Sequence, residues 1–260
     1  MNPGPLRNAP RRPLFCAMPV YLLHPDHPGF PDPGRAEPSG LVAVGGDLTP
    51  LRLMHAYASG IFPWPHEGLP LLWFSPDPRL LLWPPEVHVS HSMRKLLHQE
   101  RYRITLDRDF RTVMARCGEL RTEGTWISPP MLRAYGELHD LGYAHSVEAW
   151  QGEELVGGLY GLSLGSCFFG ESMFAVRPNS SKAALITLAR VLAALDFRWI
   201  DCQVPTEHLM SLGARPLARA RFLKSLAAGL RQPTLRGNWA ELPAVVEALD
   251  ASRRVLSGRG

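Results

Sequence analysis

Cysteine is scarce in this sequence, with Cys16, Cys117, Cys167 and Cys202 the four in 260 residues. They form no CxxC pair and no Cys/His cluster at metal-ligand spacing. This sets aside a disulfide scaffold and a zinc site, and it reads as reduced thiols in a cytosolic protein. No apolar run approaches the ~18 residues of a membrane span. The N-terminus carries arginines but no sustained apolar stretch, so a secretory signal is not expected. Missing too are a GxGxxG between strand and helix and a GxxxxGK[ST] phosphate cradle, which removes the signals for a dinucleotide fold and an NTP site. Neither sign of charge dominates. Lys and Arg exceed Asp and Glu by 28 to 24, for a net charge of +4 that permits a polyanionic partner without demanding one.

What the chain does have is 45% hydrophobic residues, enough for one large domain or two modest ones. Two stretches organise it. Gly165-Ser-Cys-Phe-Phe-Gly-Glu-Ser-Met-Phe174 and Trp199-Ile-Asp-Cys-Gln203 each read as an apolar strand with an acid at or near one end. Strand alternation puts Asp201 and Gln203 on one face and Cys202 on the other. Two carboxylates and an amide beside aromatic walls suit a cationic or amine-bearing substrate. On spacing alone, exposed carboxylates at strand ends remain an equal alternative.

Along the chain, residues 1–15 are rich in Pro, Arg and Gly and should be poorly ordered, and 16–23 suits an edge strand. A proline-rich arm leads to a short strand, Leu41–Leu48. Thr49-Pro50 starts a helix that Gly60 closes. Trp64, Trp73, Phe62 and Phe74 then cluster among prolines that hold the backbone extended; sheet-covering aromatics are the plainer reading. Arg94, Lys95, Arg101 and Arg103 form the densest basic patch of the first half, either solvated charge or phosphate contacts. Asp107 is expected to cap a helix to about Leu120, and Pro129-Pro130 opens another to about Leu141. From Ala144 strands dominate, with a hairpin turn at Gln151-Gly152. Gly157, Gly158 and Gly161 within one strand suggest a bulge or close backbone approach. A helix capped from Asn179–Ser181 runs to Leu195 and the strand 198–203 returns, with shorter helices near His208 and over 217–228. His145 reads as a supporting histidine without a ligand partner. After Gln232 a surface appendage with one amphipathic helix is expected. The fold class is α+β: a small N-terminal mixed α/β domain (16–95), then a larger domain with a mixed central sheet (96–231).

Hairpin, strand, helix, strand over 144–203 is the order of GNAT-type acyltransferases. Their glycine-rich loop for coenzyme A falls here at Phe174-Ala-Val-Arg-Pro-Asn-Ser-Ser-Lys182, which has no glycine and whose Pro178 has no N–H. An acyl donor other than coenzyme A fits better, although a helix N-terminus there remains anion-friendly.

The resemblance then narrows. Gly40-Leu-Val-Ala-Val-Gly-Gly-Asp-Leu48, Gly60-Ile-Phe-Pro-Trp64, Ser75-Pro-Asp-Pro-Arg79, Gly124-Thr-Trp-Ile127, His145-Ser-Val-Glu148, Leu155-Val-Gly-Gly-Leu-Tyr-Gly161, Phe169-Gly-Glu-Ser-Met-Phe174, Ser181-Lys182, Ile200-Asp-Cys-Gln203 and Ser211-Leu-Gly-Ala214 resemble, in order, the blocks of leucyl/phenylalanyl-tRNA–protein transferases. Each block is weak alone; ten in order are specific. The resemblance implies a GNAT-like catalytic domain and transfer of Leu or Phe, and less well Met, from charged tRNA to the α-amine of proteins beginning with Arg or Lys. The product feeds N-degron proteolysis in the cytoplasm. No metal or diffusible cofactor is implied, and a monomer is expected.

By the same resemblance Asp201 and Gln203 are the catalytic pair, orienting the amine and accepting or relaying its proton; on charge alone, Glu171 is the group suited to pair with the cationic N-terminal residue. Phe168, Leu159, Leu188 and Leu192 fall at the family's apolar donor pocket, with plain helix core an equal reading for Leu188 and Leu192. Trp64, Trp126 and Tyr135 contact the terminal adenosine or the reacting ends, and Arg94 and Lys95 touch the acceptor stem. The donor is an activated ester, so positioning is the main task. Two other readings stay open: an acyl-CoA-dependent N-acyltransferase, and a non-enzymatic adaptor for protein N-termini.

Overall fold

The computed structural model describes residues 21–256 apart from 25, 37–38 and 121–124. The stretch 1–15, most of the 16–23 strand and Gly124 lie outside the described residues. The strands are β1 (Tyr21–Leu23), β2 (Leu41–Gly45), β3 (Phe62–Pro63), β4 (Leu72–Phe74), β5 (Arg79–Leu82), β6 (Arg103–Leu106), β7 (Ala144–Gln151), β8 (Glu154–Leu164), β9 (Cys167–Ala175), β10 (Trp199–Gln203) and β11 (Arg215–Leu217). The helices are α1 (Pro50–Ala58), α2 (His91–His98), α3 (Phe110–Glu119), α4 (Pro129–Asp140), α5 (Ser180–Ala194), α6 (Glu207–Ser211), α7 (Arg219–Gly229) and α8 (Pro243–Leu256).

These elements build two sheets. A small one has the order β1-β2-β4-β3, and a seven-stranded one runs β11-β5-β10-β9-β8-β7-β6. The architecture is α+β, of the acyltransferase-like kind expected. β5 lies in the large sheet between β11 and β10, antiparallel to both, so the first part of the chain supplies a strand to the second. The side chain of Thr49 caps α1 with Pro50 in its first turn. Gly60 at φ +74 ends that connection, where a Cβ would lie 2.6 Å from Leu223.

The large sheet separates two cores, and its alternation decides which side each residue serves. Tyr160 and Phe169 join the core under α3 and α4, whereas their neighbours Leu159 and Phe168 join the one under α5. The glycines of β8 permit close approach: a Cβ at Gly157 would sit 2.2 Å from Ser180 Oγ, and one at Gly161 2.2 Å from the Phe169 carbonyl oxygen.

Three local expectations are corrected. Asp109, not Asp107, caps α3; Asp107 is a buried acceptor at φ +51. The end of α5 has no side-chain cap, because Asn179 is left-handed and Ser180 Oγ–H faces the Val156 and Arg177 carbonyls. The segment after Gln232 is no surface appendage: Trp239 and Val245 are fully buried, and α8 packs along α5. No helix among the described residues is long and apolar enough to cross a membrane.

Candidate active site

The site forms where β9 and β10 part. The two run parallel through Cys167–Trp199, Phe168–Ile200 and Phe169–Asp201, and their pairing stops there. Each is irregular at that point. β8 pairs Tyr160 with Ser172 and Gly161 with Gly170, so Glu171 is the extra residue of a bulge. β5 pairs Leu81 with Asp201 and Leu80 with Gln203, so Cys202 is extra in β10, and Gln203 follows at φ +64. A bulge re-aims side chains and ends pairing. The strict alternation expected over Asp201–Gln203 therefore fails: Cys202 lines the cavity together with both neighbours.

Glu171 is buried and held by three donors. Tyr57 Oη–H donates to Oε1 at 2.7 Å, Gln203 Nε2–H to Oε1 at 3.0 Å and Tyr135 Oη–H to Oε2 at 3.3 Å. The two tyrosine hydroxyls also lie in contact; with one proton each, both donate to an ionised Glu171 only if neither donates to the other, and the third bond of the triangle closes when Glu171 brings a proton of its own. Burial pushes the Glu171 carboxyl up to about 7; the Asp201 charge adds to that, while the tyrosine donors and Arg79 oppose it. Burial, then the Glu171 charge, holds Tyr57 and Tyr135 well above the usual phenol range, so both stay donors.

Asp201 has a different setting. It is fully buried, and Arg79 meets it side-on: Nε–H donates to Oδ1 at 2.8 Å and Nη2–H to Oδ2 at 2.6 Å. The guanidinium lies 4.8 Å from the Phe62 ring and 4.7 Å from the Phe222 ring, a dry cation–π slot. The Gln203 backbone N–H donates to Asp201 Oδ1 at 2.9 Å. Asp201 thus has its charge matched by Arg79 and one oxygen committed to the left-handed turn that aims Gln203.

Beside these groups opens a cavity of about 350 Å³, lined on its apolar side by Leu159, Phe168, Met173, Leu185, Leu188 and Ile200 and at its mouth by Trp64 and Trp126. That volume suits a small ligand or side chain. Cys202 faces it as a thiol, its pKa raised by burial and then by the Asp201 charge, which leaves it a poor nucleophile.

Of the residues singled out in the sequence, Asp201, Gln203, Glu171, Trp64, Trp126, Phe168, Leu159 and Leu188 all meet at this cavity. Tyr135 stands behind it, bonded to Glu171. Leu192, one turn beyond Leu188, is buried in the α5 core and is not part of the lining. Arg94 and Lys95 are exposed on α2, away from the lining. Sequence reasoning missed Tyr57, whose position in an amphipathic helix looks like any core aromatic. It also left Arg79, Met173 and Ile200 without a role, although they lie inside or beside the quoted blocks.

Comparison with known proteins is consistent along the chain. The family model described as leucyl/phenylalanyl-tRNA protein transferase matches residues 81–227, and the model of that family's N-terminal domain matches 46–77. A leucyl/phenylalanyl-tRNA–protein transferase of Anaeromyxobacter sp. (strain Fw109-5) is 57% identical over 225 residues, covering 85% of this chain and 95% of the relative. One from Myxococcus xanthus (strain DK1622) is 53% identical over 228 residues, covering 86% and 97%. One from Magnetococcus marinus is 48% identical over 235 residues, covering 88% and 100%. The chain belongs to the leucyl/phenylalanyl-tRNA–protein transferase family and is an aminoacyltransferase.

Proposed function

We propose that the enzyme moves Leu or Phe, and less well Met, from charged tRNA to the α-amine of proteins that begin with Arg or Lys, acting as a monomer in the cytoplasm to mark them for N-degron proteolysis. The observation that carries this reading is the meeting of Glu171 and Gln203 at 3.0 Å beside an apolar cavity. The cavity takes the donor side chain, and Trp64 and Trp126 at its mouth stack on the terminal adenosine. Glu171 receives the cationic acceptor, because the other carboxylate, Asp201, is already neutralised by Arg79.

In the reaction the neutral α-amine attacks the ester carbonyl. The new C–N bond forms, the C–O bond to the ribose breaks, and one proton passes from nitrogen to the ribose oxygen. An α-amine has a pKa of about 7.7–8.0, so a fraction is ready near neutral pH and a modest base suffices. Glu171, poised near 7, is the group matched to carry that proton. Gln203 orients the amine and offers its amide to the developing oxyanion, and Asp201 acts through Gln203 by fixing its backbone. Arg94 and Lys95 contact phosphates of the acceptor stem.

The test is transfer of radiolabelled Leu from charged tRNA to an Arg-starting peptide, against a Glu-starting peptide and with acetyl-coenzyme A as rival donor. Transfer to the Arg peptide alone, lost in Gln203→Ala, is the expected result. Acetylation without Leu transfer would overturn the reading.

A further inference from the structure

The C-terminal segment reaches the cavity from behind. Trp239, just before α8, is fully buried. Its ring stacks face to face on His145, with centroids 3.9 Å apart and planes 13° apart. Its backbone N–H donates to Asp107 Oδ2 at 2.8 Å, the oxygen that also bonds His145 Nδ1 at 2.8 Å. Asp107 Oδ1 takes the Ser146 N–H at 2.8 Å, so the slot is fixed to β7 by three bonds to one carboxylate.

The same indole lies 5.8 Å from the Phe168 ring. Phe168 is fully buried and forms part of the cavity lining. On another side its ring presses on Gly161, where a Cβ would lie 2.6 Å from Phe168 Cε1. The ring is therefore held between a glycine that leaves just enough room and an indole that denies retreat. α8 packs along α5, which supplies Leu185 and Leu188 to the lining. Two walls of the cavity thus lean on the C-terminal segment. Close-packed interiors transmit such displacements, because a gap of a fraction of an ångström already forfeits contact.

We propose that Trp239 is a positioning residue for donor choice: by backing Phe168 it sets the depth of the cavity, so the C-terminal segment helps select which aminoacyl side chain is transferred. The proposal rests on the reading of this cavity as the donor pocket. Removing the indole lets Phe168 tilt back into the vacated slot, deepening the cavity and favouring the longer ring of Phe over the shorter Leu.

The experiment measures kcat/KM for Leu-tRNA and Phe-tRNA with Trp239→Ala, Trp239→Leu and Trp239→Phe, each assayed well below its own melting temperature. Leu188→Phe, a direct wall change, is the reference. In Trp239→Ala or Trp239→Leu the Phe:Leu ratio should rise by about 3- to 10-fold, less than for a direct change of pocket volume. Trp239→Phe keeps an aromatic backing and should raise the ratio least; if the smaller variants fail to fold, a rise in its ratio supports the proposal and a fall or no change overturns it. An altered ratio in Leu188→Phe with an unaltered ratio in every folded Trp239 variant, whatever their stability loss, would overturn the role of Trp239 alone. An unaltered ratio in Leu188→Phe would remove the donor-pocket reading and this proposal with it.

Discussion

Replacing Glu171 with Gln tests the electrostatics of the site most directly. Gln keeps the shape and can still accept from Tyr57 through its carbonyl, while its NH2 donates to the Tyr135 hydroxyl, which is free to turn. What disappears is the titration. In the wild type burial raises this carboxyl from 4.5 to about 7, worth about 3 kcal/mol between its two charge states at 1.36 kcal/mol per pH unit. The folded pKa lies above the unfolded one. The stabilisation is therefore fully present below about pH 4.5 and is lost as pH rises through about 7. Urea denaturation at a series of pH values should show the wild type losing up to about 3 kcal/mol over that window relative to Glu171→Gln. Activity moves the other way. On the proposed mechanism transfer by the wild type needs two deprotonations, of the α-amine and of Glu171, so log rate against pH should approach a slope of two on the acid side. The variant retains only the amine ionisation, with a slope of one and a rate lower by about 10²-fold or more. Parallel stability curves and equal slopes would show that Glu171 neither titrates near neutrality nor handles the proton.

Two further changes bear on other parts of the site. Arg79→Ala leaves the Asp201 charge buried without its partner and should cost about 3–5 kcal/mol in chemical denaturation; a loss under 1 kcal/mol would mean that Asp201 is not held as an ion. Arg94→Ala and Lys95→Ala should each lower the slope of log affinity for charged tRNA against log salt by about 0.7–0.9, measured by filter binding, with no change in the Phe:Leu ratio; an unchanged slope would take α2 out of the tRNA path.

Much of the architecture is written in short-range signals. Pro50 behind Thr49 and Pro129-Pro130 mark helix starts, and alternation across β8 and β9 assigns Leu159 and Phe168 to one face and Tyr160 and Phe169 to the other. What is not written locally is the company each polar group keeps. Glu171 meets Tyr57 from 114 residues away and Asp201 meets Arg79 from 122 away; neither spacing follows a helical or strand period. The bulges at Glu171 and Cys202 escape notice for a related reason: a period-two reading assumes regular pairing, and each bulge depends on a partner strand elsewhere in the chain. The burial of Trp239 fails to show because a lone Trp in a polar turn has no periodicity to declare which way it faces.

The two carboxylates illustrate how one fold separates roles between chemically similar groups. Glu171 and Asp201 sit on adjacent strands, both buried, yet their partners differ in charge. Arg79 is brought in by β5 and completes an ion pair, so the oxygens of Asp201 are spent on Arg79 and the Gln203 backbone. Tyr57 and Tyr135 are neutral and held as donors; they bind the carboxylate without supplying the charge that would keep it ionised, and its pKa is left near 7. Burial without a matching charge is how a carboxyl is tuned toward neutral pH. The parting of β9 from β10 supplies the rest. The same break in pairing that brings Glu171 and Gln203 together also opens the apolar cavity next to them, so the proposed proton acceptor and side-chain pocket are tied to one register of the central sheet.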